Sequence, residues 1–460
     1  MDYINQMKYK IFLILFVFLI CSNQKAYSAD ESVISLTLEQ AIETALQRNR
    51  SIINALSMSE SQRISLFSAQ SAFDTKFYPS ASAGLSSEAG MAGAGLTLQK
   101  RLDFGATASL TPGIQKTDDN RTARIGVSLN MPLFRGFGKE ANLDSVYLSE
   151  YSVRTAKRSL YSTRVNVILD TVSAVYDIIR QRELVRLFES LTKQLEGHSK
   201  IAKIREKVGL ATSLDVYRAE IRLKDVEDSL SSAKESLRNA EDRLKLILSF
   251  SLERPIEVTA PVELDKTRMN LEELVEIALK NRIELEQAKD ELEEARRRSR
   301  IAEHNILPQL DLVMNYNRYD MTDDFGALNE NRWSINLVSN TDFSRTSEKA
   351  AFQQSRITVS SSKLYLDTRQ DEIRREVRLQ SEFLKKAEER IAIREAQKKQ
   401  ADGKSELSKI KFDHGMTDNS DVIEAEKELQ QANVNLLSMK TDYIVGMYRM
   451  RAAIGTLIER

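Results

Sequence analysis

Gly136-Phe137-Gly138-Lys139-Glu140-Ala141 fits the spacing G-x-G-x-x-A, which in a strand–turn–helix setting cradles the pyrophosphate of a dinucleotide. The setting is wrong. Pro132 separates the preceding strand-like stretch from the glycines, the helix that follows is far too long, and no return strand with an acidic end comes after it. A phosphate loop fails too, because Leu133 stands where the first glycine is needed and Glu140 where Ser or Thr is needed. His198, His304 and His414 are the only histidines; they lie far apart, with no cysteine or paired histidine near them, and read as solvated surface residues. There is no G-x-S-x-G turn, and the single cysteine, Cys21, falls in a leader-like segment. The sequence therefore predicts no enzyme, metal site or cofactor. The charged pair left to consider is Asp421 and Glu424, spaced i,i+3 on one helix face just past a glycine turn. Read from the residues alone, such a pair is an exposed couple favoured by the helix N-terminus.

The elements that would position this pair are long. Six prolines and 16 glycines are few for the loops of a 460-residue globular chain. Lys plus Arg equals Asp plus Glu at 67 each, so nothing in the net charge attracts nucleic acid. Lys8 and Lys10 followed by apolar Ile11 to Ile20 and then Ala26-Tyr27-Ser28 read as a secretory signal at 1–28, cut after Ser28. Ile20 before Cys21 weighs against a lipoprotein signal, which needs a small residue there. No later segment has the 18 or more consecutive apolar residues of a membrane helix, which leaves a closed β-barrel as the way into a bilayer.

The chain is written twice. "LEQAIETALQRNRSI" (Leu38 to Ile52) returns as "LEELVEIALKNRIEL" (Leu271 to Leu285), and "VGLATSLDVYRAE" (Val208 to Glu220) returns as "HGMTDNSDVIEAE" (His414 to Glu426). The division expected is a first repeat at 29–252, with a β insert at about 79–134, and a second at 253–460, with a β insert at about 308–345. Each glycine motif precedes a seam of apolar residues spaced 4,3,4,3: Ala219, Leu223, Val226, Leu230 and onward to Ile247, and Ala425, Leu429, Ala432, Leu436 and onward to Ala453. That repeat lays one helix along another as a coiled coil. Residues 139–207 are predicted to make one helix of about 100 Å at 1.5 Å per residue.

Against this helical background, Ile125, Val127, Leu129 and Met131 alternate with Gly126, Ser128 and Asn130, the pattern of a two-faced strand. Ser80 to Leu85, Leu310 to Tyr316 and Trp333 to Leu337 are the other strand segments, and Asp320 to Asn331 reads as a polar loop. Two further alternating pieces, "GLTLQKRL" and "ATASLTPG", joined at Asp103-Phe104-Gly105, suggest an extra hairpin in the first insert.

With the twin L-x6-A-L openings (Leu38 to Leu46 and Leu271 to Leu279), Tyr78-Pro79, Leu307-Pro308, Pro132-Leu133-Phe134-Arg135-Gly136-Phe137-Gly138 and the twin G-x5-D-V-x2-A-E turns in this order, nearly the whole chain resembles the TolC-like outer-membrane efflux factors. The resemblance implies a fold that is mainly α with membrane β: long antiparallel coiled-coil helices forming a periplasmic tunnel, plus four strands per copy contributed to a shared trimeric 12-stranded β-barrel. It implies partners as well: two further copies, outer-membrane lipid, a periplasmic adaptor and, through it, an inner-membrane pump. Val208, Gly209, Leu210, Ala211 and Thr212, with Gly415, Met416 and Thr417, become the adaptor-docking turns, and Asp421 and Glu424 the rings of a constricted tunnel end. Two departures stand out: Ser339-Asn340-Thr341-Asp342-Phe343 replaces a proline-containing strand end, and the first β insert is long. The competing expectation is a soluble periplasmic coiled-coil scaffold capped by a small sheet. Nothing in the sequence selects the cargo.

Overall fold

The computed structural model describes residues 34–459 apart from 86–89, 118–119, 210–211, 263–269, 324–325, 415 and 418. The leader-like segment, Leu210, Ala211 and Gly415 thus lie outside the described residues. The chain runs β1 (Ile34–Thr37), α1 (Leu38–Arg48), α2 (Arg50–Ser71), β2 (Lys76–Leu85), β3 (Gly90–Arg101), β4 (Thr107–Thr117), β5 (Asn120–Pro132), α3 (Lys139–Asn142), α4 (Asp144–Lys207) and α5 (Ser213–Leu248). It continues through β6 (Ile256–Thr259), α6 (Leu271–Asn281), α7 (Ile283–His304), β7 (Asp311–Asp323), β8 (Gly326–Val338), α8 (Thr346–Asp413) and α9 (Asn419–Ala453).

Element lengths repeat with the sequence. The openings α1 and α6 have 11 residues each, α2 and α7 have 22 each, α4 and α8 have 64 and 68, and α5 and α9 have 36 and 35. At 1.5 Å per residue α4 and α8 reach about 96 and 102 Å. α4 is preceded by short α3 rather than continuous with it, because Leu143 leaves helical geometry between Asn142 and Asp144.

The cores lie where the seams predicted them. One gathers Ala41, Ala45 and Ile52 against Val172, Val175 and Ile178 of α4, Leu244 and Leu248 of α5, and Ile256 and Val258 of β6. A second gathers Leu274, Ala278 and Leu285 against Ile373 and Val377 of α8 and Met450, Ala453 and Ile454 at the end of α9, and two smaller clusters lie farther along the long helices. Gly446 permits the closest approach in the second: a Cβ there would sit 2.7 Å from the Phe383 ring and 3.0 Å from Leu384. Where each opening helix breaks, one side chain closes the same gap in both halves. Asn49 Nδ2 donates to the Ile247 carbonyl at 2.9 Å, and Arg282 Nη1 donates to the Ala453 carbonyl at 3.0 Å. Each satisfies a carbonyl that the last turn of a helix leaves without a partner. The sequences at this point, Asn and Arg, share no chemistry except a donor.

The strands form two sheets. β1 and β6 pair in parallel, and β2-β3-β4-β5-β7-β8 make one six-stranded sheet paired antiparallel throughout. The extra hairpin is present as β3 and β4, closed by Leu102 N–H to the Ala106 carbonyl at 2.8 Å. The count of four strands per copy is therefore corrected to six. The polar loop expected at Asp320 to Asn331 is corrected too: Arg318↔Asn331, Tyr319↔Glu330 and Asp320↔Asn329 continue the β7–β8 ladder. Polar side chains there reflect what surrounds the hairpin end, while its backbone hydrogen bonds run on.

Candidate functional site: a two-faced sheet and two helical tips

Register sorts the sheet into faces, since partners across a ladder point the same way. One row across all six strands runs Phe77, Leu98, Leu110, Val127, Tyr316, Trp333. The adjacent row, on the opposite face, runs Lys76, Gln99, Ser109, Ser128, Asn315, Ser334. The Ser109 and Ser128 hydroxyls hydrogen-bond at 2.6 Å on that polar face. The apolar face is bare: Trp333 is 75% exposed, Leu337 66% and Ile335 58%, and every residue of β2 is exposed. β2 and β8 are the open edges of the sheet. Among the described residues no helix is long and apolar enough to cross a membrane.

A glycine-rich junction anchors the sheet to the helices. The Gly138 N–H donates to the Phe104 carbonyl at 2.9 Å, and Asn142 Nδ2 donates to the Gly136 and Gly138 carbonyls at 2.6 and 2.9 Å. Gly105, with φ +107°, has no room for a side chain: its Cβ would stand 2.6 Å from both the Gly136 oxygen and Asn142 Nδ2. The G-x-G spacing is thus filled by protein and serves as a turn. Lys139 pairs with Asp103 at 2.7 Å, and Arg135 with Glu348 at 3.2 Å, joining the first insert to α3 and α8. On the other insert, the stretch that lacks the usual proline is held by side chains instead. Ser339 Oγ donates to the Gln309 carbonyl at 2.8 Å, and Thr341 Oγ1 accepts from the Gln309 N–H at 2.9 Å.

At the far ends of the long helices, Val208 caps α4 and is 63% exposed, and Gly209 takes φ +76°, a conformation that favours glycine. Thr212 caps α5, its hydroxyl accepting from the Asp215 N–H at 3.3 Å while Asp215 accepts from the Thr212 N–H at 3.0 Å. The Thr212 hydroxyl bond holds the Asp215 carboxyl below the usual range. In the second tip Met416 is 73% exposed, its N–H donating to the Lys411 carbonyl at 2.8 Å, and the Thr417 hydroxyl bonds the Asp421 carboxylate.

Asp421 and Glu424 are both exposed on α9, while Ala425 beside them is fully buried against the helical layer. Sequence reasoning missed Lys404 of α8. It pairs with Glu428 at 2.7 Å, and its pKa is raised by that hydrogen bond and by the charges of Glu428, Glu424 and Asp421, which outweigh desolvation. No spacing within one helix could have found it, because the register between α8 and α9 sets the contact. Glu424 also lines a cavity of about 590 Å³ between the two helical hairpins, with Leu191, Leu195, His198 and Lys427. Across this seam Glu426 accepts from Gln194, and Gln430 Nε2 donates to Ser190 Oγ at 3.0 Å.

The histidine expectation is corrected in part. His414 is exposed and its Nδ1 lies 2.8 Å from the Ile410 carbonyl, whereas His198 and His304 are half-buried, each with one ring nitrogen lacking a hydrogen-bond partner among the described residues. Among those residues no group of His, Cys, Asp and Glu could hold a metal ion.

Against known proteins, residues 41–249 and 274–456 match the model of the outer membrane efflux protein family. The chain is 23% identical over 348 residues to the outer membrane efflux protein BepC of Brucella suis, covering 74% of each chain. Its fold is similar to the CmeC outer membrane channel of Campylobacter jejuni, with a TM-score of 0.70 at 15% identity over 92% of this chain and 86% of that one. It is similar as well to the outer membrane protein VceC of Vibrio cholerae, with a TM-score of 0.67 at 15% identity over 91% and 96%. The chain belongs to the outer membrane efflux protein family: it is an outer-membrane channel protein of TolC-like fold and not an enzyme.

Proposed function

We propose that this family member works as a passive duct, three copies closing one barrel in the outer membrane and one helical tunnel in the periplasm, with energy supplied by a partner pump. The observation that carries the reading is the six-stranded sheet, apolar on one face and polar on the other, with both edges open. Open edges are not tolerated in hydrocarbon, and six strands fall short of the eight that the smallest membrane barrels use. Neighbouring copies supply what is missing. In the assembly Phe77, Leu110, Val127 and Trp333 face lipid, and Ser109, Ser128 and Asn315 face the lumen.

The twin tips are the surface offered to a periplasmic adaptor, through Val208, Gly209, Leu210 and Thr212 of one turn and Gly415, Met416 and Thr417 of the other. An exposed apolar residue on each, Val208 and Met416, suits docking against an apolar partner surface. Asp421 and Glu424, three copies of each, ring the tunnel end, with Lys404 partly balancing them. Cell fractionation tests the duct. The protein is expected to sediment with the outer membrane and to run as a heat-sensitive trimer in mild detergent. Release by osmotic shock as a water-soluble monomer would establish a periplasmic scaffold instead.

A further inference from the structure

Resting on the duct reading above, we propose that all six strands of each copy enter the barrel wall, so that three copies close an 18-stranded cylinder instead of a 12-stranded one. Four observations converge. Strand length comes first: β2, β3, β4, β5, β7 and β8 have 10, 12, 11, 13, 13 and 13 residues, and a tilted strand needs about 9–11 to cross the hydrocarbon. The added hairpin is as long as the rest.

Second, the added hairpin keeps the facing of its neighbours without interruption. Leu98 and Leu110 extend the apolar row between Phe77 and Val127, while Gln99 and Ser109 extend the polar row between Lys76 and Ser128. A flap standing in water on both sides would have no cause to keep an apolar side in register with lipid-facing residues. Third, β3 and β4 lie between β2 and β5 in the hydrogen-bonded order. Leaving them outside the wall would break a ladder on one side and unpair its backbone groups in the membrane.

Fourth, parity permits closure. Five successive antiparallel pairings make β2 and β8 run in opposite directions, so β8 of one copy meets β2 of the next antiparallel, as the even-numbered membrane barrels require. The occupant of each open edge is accordingly a second copy of this chain. Barrel diameter grows roughly linearly with strand number, so the cylinder would be about half as wide again as one of 12 strands, in the range of porins that hold an aqueous channel. Size selection would then fall to the helical tips, and the outer-membrane end would pass large hydrated cargo.

The test uses full-length protein reconstituted in bilayers, in a Cys21→Ser background that removes the only native cysteine. Leu98→Cys, Leu110→Cys, Val127→Cys and Ile335→Cys are labelled one at a time with a fluorophore and quenched by nitroxide lipids. The expected result is quenching at Leu98 and Leu110 within about twofold of that at Val127 and Ile335. Quenching at Val127 and Ile335 alone overturns the 18-strand wall and leaves the duct standing. Quenching at none of the four sinks the duct itself. As a second readout, cysteines along β2 and along β8 should give disulfide-linked trimers. That link forms with or without the hairpin in the wall, so the deciding pair is β2 and β5 of one copy, held apart by β3 and β4 in the 18-strand wall: no direct cross-link between them is expected, and one that forms places the hairpin outside.

Discussion

The helical body and the sheet use apolar residues in opposite ways. In the body, Val172, Val175, Leu244 and Leu248 are 0% exposed and find their partners within one copy. In the sheet, Phe77, Val127, Ile335 and Trp333 belong to equally regular patterns but remain bare, because sheet neighbours cover flanks and not faces. The difference teaches where each region's stability resides: the body's is a property of the single chain, and the sheet's depends on lipid and on other copies.

The comparison is broken most forcefully by deleting a body contact. Leu244→Ala should cost about 2–5 kcal/mol, the range for emptying a packed leucine site, and urea unfolding followed by circular dichroism would register it with or without lipid. Trp333→Ala should matter only when the protein is membrane-bound; a large loss in detergent-free monomer would contradict the division. Next in size, Val127→Arg should lower barrel stability by about 2–4 kcal/mol near mid-bilayer, while Ser128→Arg on the polar face should assemble normally. Equal effects of these two neighbours would reverse the assignment of faces.

A smaller effect sharpens the account of the body. Asn49→Ala and Arg282→Ala should each cost about 1–3 kcal/mol by leaving a helix-end carbonyl without its donor, measured as earlier unfolding of the α5 or α9 end by hydrogen exchange. The body should also respond to acid. Burial raises the Asp290 pKa, but hydrogen bonds and charge from Arg158 and Arg154, at 2.7 and 2.9 Å, outweigh it and hold the carboxyl below its usual range. Its contribution is complete above the unfolded value of about 4 and is lost as pH falls through the lower folded value. Asp290→Asn should therefore be less stable than the parent at neutral pH and match it in strong acid. The smallest effect concerns the tip: Asp421→Asn with Glu424→Gln should reduce cation selectivity in planar bilayers without changing assembly, and unchanged selectivity would remove the acidic rings.

Much of the body was legible because its code is local and repeated. The 4,3,4,3 spacing named Ala219, Ala240, Ala425 and Tyr443 as seam residues, and all four are buried. The hairpin at Asp103-Phe104-Gly105 was legible from two alternating pieces and a glycine. What was not legible depends on register between distant segments. Lys404 beside Glu428, and Asn49 and Arg282 reaching opposite helix ends, follow from how helices slide together. The ends of β7 and β8 were missed for another reason: their side chains lose the apolar–polar alternation while the backbone ladder continues.

The most direct measurement is the mass of the intact particle, by native mass spectrometry of the detergent-extracted protein. Three chains per particle, falling apart only on heating or denaturation, is the predicted result. A single chain that keeps its β signature in plain buffer would contradict the claim that the sheet is completed by its neighbours.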